Sequence, residues 1–215
     1  MREPSSDRER PVKLYYAHAT IAPTVAIALH EAGLDFEPVR LDFAEGDQTR
    51  PDFLAINPKG RVPALVTESG TLTETGAILE HIADLAPQAG LRPPGALRVA
   101  RMREAMFYIA STMHVNHAHK KRGHRWADAE SSRADMTAKV PETMTASARH
   151  VEDHVLAGPY TLGDTFSLAD PYLFVACTWL PGDGVEMADF PKISAYLETM
   201  RARPSVARAI ADGMI

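Results

Sequence analysis

Between Ala86 and Ala96 the chain reads APQAGLRPPGA, three prolines and two glycines in eleven residues. Such a run supports neither a helix nor a strand, and the hydrophobic pattern differs on its two sides. Before it, short β-branched and aromatic runs alternate with stretches of helical period; after it, almost only the helical period survives. The chain therefore divides into an α/β unit over residues 12–86, a linker over 87–96 and an all-helical unit over 97–215. A chain of 215 residues has room for both, each able to bury a core.

Within the first unit, VKLYYA (Val12 to Ala17) predicts a strand. APTVAIALHEAG predicts a helix with Pro23 in its first turn, Val25, Leu29 and Ala32 at helical spacing and Gly33 as its stop. DFEPVRLDF predicts a second strand, and a short helix falls near PDFLAIN. NPKGRVPALV followed by TESGTLTE predicts loop, strand, tight turn and strand, with Ser69-Gly70 at the tip. Pro63 has no N–H to donate, so the strand it opens is expected at a sheet edge with backbone left unpaired. ETGAILEHIADL predicts a helix with Ile78, Ile82 and Leu85 on one face. Beyond the linker, long helices are expected from Leu97 through the histidine-rich MHVNHAH and over 134–156. In FSLADPYLF, Ser167 stands three residues before Asp170, as in a capping box. A last helix is broken at Pro204. The Met102, Met106 and Met113 stripe reads as bundle core.

Composition removes several classes of function. A net charge of −5 argues against nucleic acid and anionic membranes as partners, and no apolar run reaches the length of a membrane span. MREPSSDRERP carries no apolar stretch like that of a signal peptide and reads as a loose tail over residues 1–11. The single cysteine, Cys177, cannot form an intrachain disulfide, which fits a cytoplasmic protein. Charge is uneven: residues 1–90 hold 8 Lys/Arg against 14 Asp/Glu and residues 91–215 hold 15 against 14, so any basic character belongs to the helical unit.

NPKGRVPALV, LTETGAILEHIADL and FSLADPYLF occur in that order on this frame, and the spacing from KLYY to EAGLDFE adds a fourth element. Together they resemble a cytosolic-type glutathione S-transferase, nearest the bacterial beta-type branch but without its active-loop cysteine. The resemblance covers about Val12 to Ala211. It implies an α/β plus all-α fold, a thioredoxin-like domain followed by a helical bundle. It also implies a detoxifying, homodimeric, cytoplasmic enzyme that takes glutathione as co-substrate and a small electrophile as partner.

For the site, the resemblance implies that Pro63 follows a cis bond and that Val62 offers its main chain to the cysteinyl part of glutathione. Glu74 and Thr75, at a helix start, would take the γ-glutamyl ammonium and carboxylate. Lys59 and Arg61 flank the loop and suit the glycyl carboxylate, or are plain loop charges. The thiol must be held as its anion, which each depressed pKa unit makes easier by about 1.4 kcal/mol. The beta-type cysteine position is occupied by Ile21 and the serine position of other branches by Ala19. Thr20 with His18 is the first candidate for activating the sulfur; Tyr15 or Tyr16, on the strand where tyrosine-type relatives place their hydroxyl, is the second. His114 falls where beta-type relatives carry a histidine near the sulfur, and His117, three residues on, shares its helix face and could meet a substrate. A metal is not expected there, because no cysteine or second carboxylate cluster supports the two histidines. Two competing functions remain open, a glutathione-dependent reductase or peroxidase and a non-catalytic glutathione-binding or regulatory protein.

Overall fold

The computed structural model describes residues 12–215; the tail expected over residues 1–11 lies outside the described residues. Four strands form one mixed sheet in the order β2 (Phe36–Arg40), β1 (Val12–Tyr16), β3 (Ala64–Thr67), β4 (Gly70–Thr73). β1 runs parallel to β2, with Leu14 opposite Pro38, and antiparallel to β3, with Leu14 opposite Leu65. The proline-bearing edge strand is β2, where Pro38 needs no inward donor.

The expectation for β3 is corrected: it lies inside the sheet, between β1 and β4. Pro63 stands just before the strand, so its missing N–H interrupts no ladder. Pairing with β1 ends at Tyr15–Ala64 and pairing with β4 ends at Ala64–Thr73, so the chain leading into β3 runs past both neighbours.

Helices α1 (Pro23–Ala32) and α3 (Thr75–Leu85) pack in the main core, α3 through Ile78, Leu79 and Ile82, whereas Leu85, expected on the same face, is exposed at the helix end. Phe53 of the short α2 (Pro51–Ile56) packs instead with Leu41, Ala64 and Tyr15 in a separate cluster. Eight of the ten residues of α1 are buried, which explains its almost wholly apolar sequence: it packs against α3 and also against the helical unit. There, α4 (Ala96–Tyr108) continues through a π turn (Ile109–Met113) into α5 (His114–Arg122), one uninterrupted rod. α6 (Glu130–His150) and its terminal π turn (Val151–Val155) cover the helix expected over 134–156, starting a turn earlier. α7 (Ala169–Cys177) is buried at every residue, and α8 (Pro191–Arg201) and α9 (Pro204–Ala211) close the bundle.

One polar cluster fixes the start of α7 inside the helical unit, and a second ties the two units together. The Asp170 carboxylate accepts from the Thr161 N–H (2.8 Å), the Ser167 N–H (2.7 Å) and the Ser167 hydroxyl (3.2 Å), fixing the start of α7. Burial pushes its carboxyl up to about 6, and these donors keep it a useful anion at neutral pH. Arg203, just ahead of α9, grips Glu31 of α1 through two bonds of 2.8 Å, and the Ser205 hydroxyl adds a third at 2.5 Å. Buried residues of both units belong to one continuous core, from Leu14 through Tyr172 and Phe174 to Met214.

Candidate active site

The loop before β3 is built by Asn57. Its buried side chain donates to the Arg61 carbonyl (2.6 Å) and accepts from the Lys59 N–H (3.2 Å), closing residues 57–61 into a tight loop. Gly60 adopts φ +59°, and a β-carbon there would lie 2.9 Å from the Gln48 carbonyl oxygen, so this position needs glycine. The Val62–Pro63 bond that follows is cis. Among the described residues, no hydrogen bond occupies either the N–H or the carbonyl of Val62.

Beside Val62 stands the start of α3. The first intrahelical bond there is from Ile78 N–H to the Glu74 carbonyl (3.0 Å), leaving the N–H groups of residues 75–77 unpaired. Glu74 holds φ +70°, an uncommon conformation for a residue with a side chain. Its carboxylate takes the Lys59 ammonium at 2.5 Å. Ala19, in the loop between β1 and α1, has φ +54°, and these two are the only non-glycine residues of positive φ among those described. Both line the same cleft, and strained backbone of this kind concentrates at functional sites.

The cleft, about 420 Å³, lies between this loop region and α5. On its helical wall His117 Nδ1 lies 2.6 Å from a carboxylate oxygen of Asp183, which is wholly buried, and the Lys120 ammonium reaches the other oxygen at 3.1 Å. Lys120 also donates to the Gly182 carbonyl. The His117 ring stacks on Trp179 at 4.1 Å between centroids, and His114 leans on the same indole at 5.1 Å. Burial, then the charges of His117, Arg122, Arg125 and Arg61, depress His114 to about 4. It is therefore a neutral imidazole at physiological pH and does not supply the imidazolium that could have steadied a thiolate.

Of the residues expected from sequence, the structure brings Thr20, Lys59, Arg61, Val62, Pro63, Glu74, Thr75, His114 and His117 around one cleft. Tyr15, Tyr16 and His18 do not line it. The alternation of a strand sends Tyr15 to one sheet face, where it packs on Phe53 at 5.6 Å, and buries Tyr16 in the main core. His18 sits exposed in the turn after β1. Thr20 is present but occupied: its hydroxyl donates to the Ala17 carbonyl (2.7 Å) and accepts from the Ala22 N–H (3.3 Å).

Sequence reasoning missed Tyr172, Trp179 and Asp183, which come from the α7 region and had no local signal pointing to a cleft formed by residues far away in sequence. Burial pushes the Tyr172 phenol up to about 12, with the Thr75 hydroxyl as its partner. Cys177 is wholly buried inside α7, and burial raises its thiol far above the usual range. Among the described residues, no group of three His, Cys, Asp or Glu side chains could hold a metal ion, and no helix is long and apolar enough to cross a membrane.

Known proteins carry the same architecture. The family model "Glutathione S-transferase, N-terminal domain" matches residues 11–84, and "Glutathione S-transferase, C-terminal domain" matches residues 132–199. The glutathione S-transferase GST-4.5 of Xanthomonas campestris is 30% identical over 94% of this chain and 100% of its own. The structure of a Sulfitobacter glutathione transferase homolog with bound glutathione superposes with TM-score 0.94 and 58% identity, over 95% of this chain and 99% of that one. A bacterial beta class transferase of Sphingomonas chungbukensis superposes with TM-score 0.81 and 31% identity, over 94% and 98% of the two chains. With both domain types matched in order, on one cleft framed by a cis-proline loop and an open helix start, this chain belongs to the glutathione S-transferase family.

Proposed function

We propose that the cleft binds glutathione and conjugates it, through its sulfur, to a small electrophile. The observation that carries the reading is the unpaired main chain of Val62 beside the unpaired N–H groups of α3, both facing one cleft. A tripeptide laid along Val62 pairs its cysteinyl N–H and carbonyl with that residue as an added strand would. Its γ-glutamyl carboxylate meets the start of α3 and the Thr75 hydroxyl, where positive dipole and free donors favour an anion. Its ammonium joins Lys59 at Glu74, and its glycyl carboxylate lies toward Lys59 and Arg61. The sulfur then points to Thr20 and Ile21 at the mouth of α1.

With the Thr20 proton already given to Ala17, the thiolate is held by other means: the Ile21 N–H, unpaired among the described residues, the start of α1, and the positive charge of Arg61, Arg122 and Arg125. The neutral His114 ring contributes a hydrogen bond rather than a charge. The thiol proton leaves to solvent, the sulfur lone pair forms the new bond to carbon, and the leaving group departs with its electrons or the ring oxygen of an epoxide opens. The working form is a cytoplasmic homodimer. Phe107 on α4 (68% exposed) supports the dimer, since it lines a second hollow and leaves apolar surface there for another copy to cover.

Calorimetric titration of glutathione, together with absorbance of the bound thiolate against pH, tests the reading. The expected result is binding, with the thiol pKa at least about one unit below 8.5. Glu74→Ala with Thr75→Ala is expected to weaken binding about 10-fold to 100-fold, the loss of two charge-assisted contacts. Binding without a pKa shift would leave a non-catalytic glutathione-binding protein, and no binding would sink the proposal.

A further inference from the structure

The chain as a whole has net charge −5, but its cleft has the opposite sign. Six cationic side chains line it against two carboxylates, Glu74 and Asp183. Those two are already matched by Lys59 and Lys120. Arg61, Arg122, Arg125 and Lys121 have no acidic partner among the described residues. The arginines feel one another. Arg122 is depressed by burial and then by the charge of Arg61, and Arg125 falls to about 10 through burial, Arg122 and Arg61. Like charges gathered in a partly desolvated cleft are unfavourable unless a ligand compensates them.

Glutathione compensates only part of this. As a thiolate it carries about −2, from two carboxylates, one ammonium and one sulfur. Set against the surplus of the lining, it leaves about two positive charges unmatched. Arg122 lies over the Phe43 ring at 5.6 Å, and Trp126 and Trp179 line the same cleft, so the unmatched charge borders aromatic surface.

Resting on the glutathione reading above, we infer that the electrophile of this transferase is itself an anion: an aryl or alkyl compound bearing a carboxylate or similar acidic group, which docks against Arg122 and Arg125 while its apolar body lies along Phe43 and the two indoles. The thiolate attacks the activated carbon, the carbon–sulfur bond forms, and the leaving group departs with its electron pair. The acidic group takes no part in the bond changes; it orients the carbon and discriminates against neutral analogues.

The test compares 3,5-dinitrobenzoate with 3,5-dinitrobenzamide, which have no leaving group, by quenching of tryptophan fluorescence with and without glutathione. It then compares turnover of the 4-chloro derivatives, each divided by its uncatalysed rate. The carboxylate is expected to bind and react at least about tenfold better than the amide, and this ratio is expected to shrink with added salt. Arg122→Gln with Arg125→Gln should bring the ratio close to one; should that pair fail to fold, Arg125→Gln alone, at an exposed position, is expected to lower it severalfold. Equal affinity for acid and amide overturns the inference, as does a preference that survives both substitutions. A preference seen only without glutathione overturns it too, because the arginines would then be serving the glycyl carboxylate. Failure of glutathione itself to bind appears separately in the calorimetry, because the fluorescence titration does not need the tripeptide.

Discussion

The Thr20 hydroxyl is tied at both ends, to the Ala17 carbonyl and the Ala22 N–H, so it has no proton to offer a sulfur atom without breaking a bond. Thr20→Ala is therefore expected to cost about 0.5–1.5 kcal/mol of stability and less than about tenfold in kcat; urea titration and steady-state rates read the two. A loss nearer a thousandfold with glutathione affinity intact would return Thr20 to the chemistry. Asp170 is the opposite case, a residue whose pattern in sequence understated its role. Ser167 and Asp170 read as a capping pair, but the carboxylate also holds the Thr161 N–H in a separate turn. Asp170→Ala then leaves two buried N–H groups unpaired and is expected to cost about 2–4 kcal/mol rather than the smaller figure of a simple cap, measured as a fall in the unfolding midpoint. Residue types at the right chain positions were thus legible. Which protons were already spoken for was not, because hydrogen-bond partners are fixed by the fold.

At the level of elements, strand and helix periods located nearly every segment, and the proline rule erred at β3 because it could not tell a residue in a ladder from one just ahead of it. The packing of α1 shows what local pattern leaves out. Its apolar sequence announces burial on all sides, but nothing in PTVAIALHEA identifies Arg203 as the partner of Glu31. Burial alone would raise the Glu31 carboxyl, and the hydrogen bonds from Arg203 and Ser205 outweigh it, so its pKa lies below the ordinary 4.5. A depressed carboxyl contributes stability above its unfolded pKa and loses it as pH falls through the folded one. Glu31→Gln is expected to cost about 1–3 kcal/mol at pH 7, and the gap from the parent should close as denaturation is repeated at pH values below 4.5.

Taken whole, the molecule has two sequence patterns and one main core that runs through both units. The linker composition marks the change of pattern, but α1 is buried against α7 and α9, so the α/β unit carries apolar surface that only the helical unit covers. Calorimetry of the full chain is expected to show a single transition, and residues 12–86 expressed alone are expected to lack cooperative unfolding; two separable transitions would contradict this. Phe107→Asp is expected to shift sedimentation from dimer to monomer, whereas a parent chain that already sediments as a monomer would leave α4 without its proposed cover. The order of motifs made the family legible, and the run Lys120 to Arg125 read as a solvated or anion-attracting rim on the helical unit; that it converges with Lys59 and Arg61 on one cleft is set by the fold. Finally, the placement of Cys177 leaves the protein without an accessible thiol of its own. Maleimides or mercurials added to the native protein with its tripeptide would find one accessible thiol, the ligand's own, so the speed of labelling becomes a direct meter of how far the cleft has sharpened that atom.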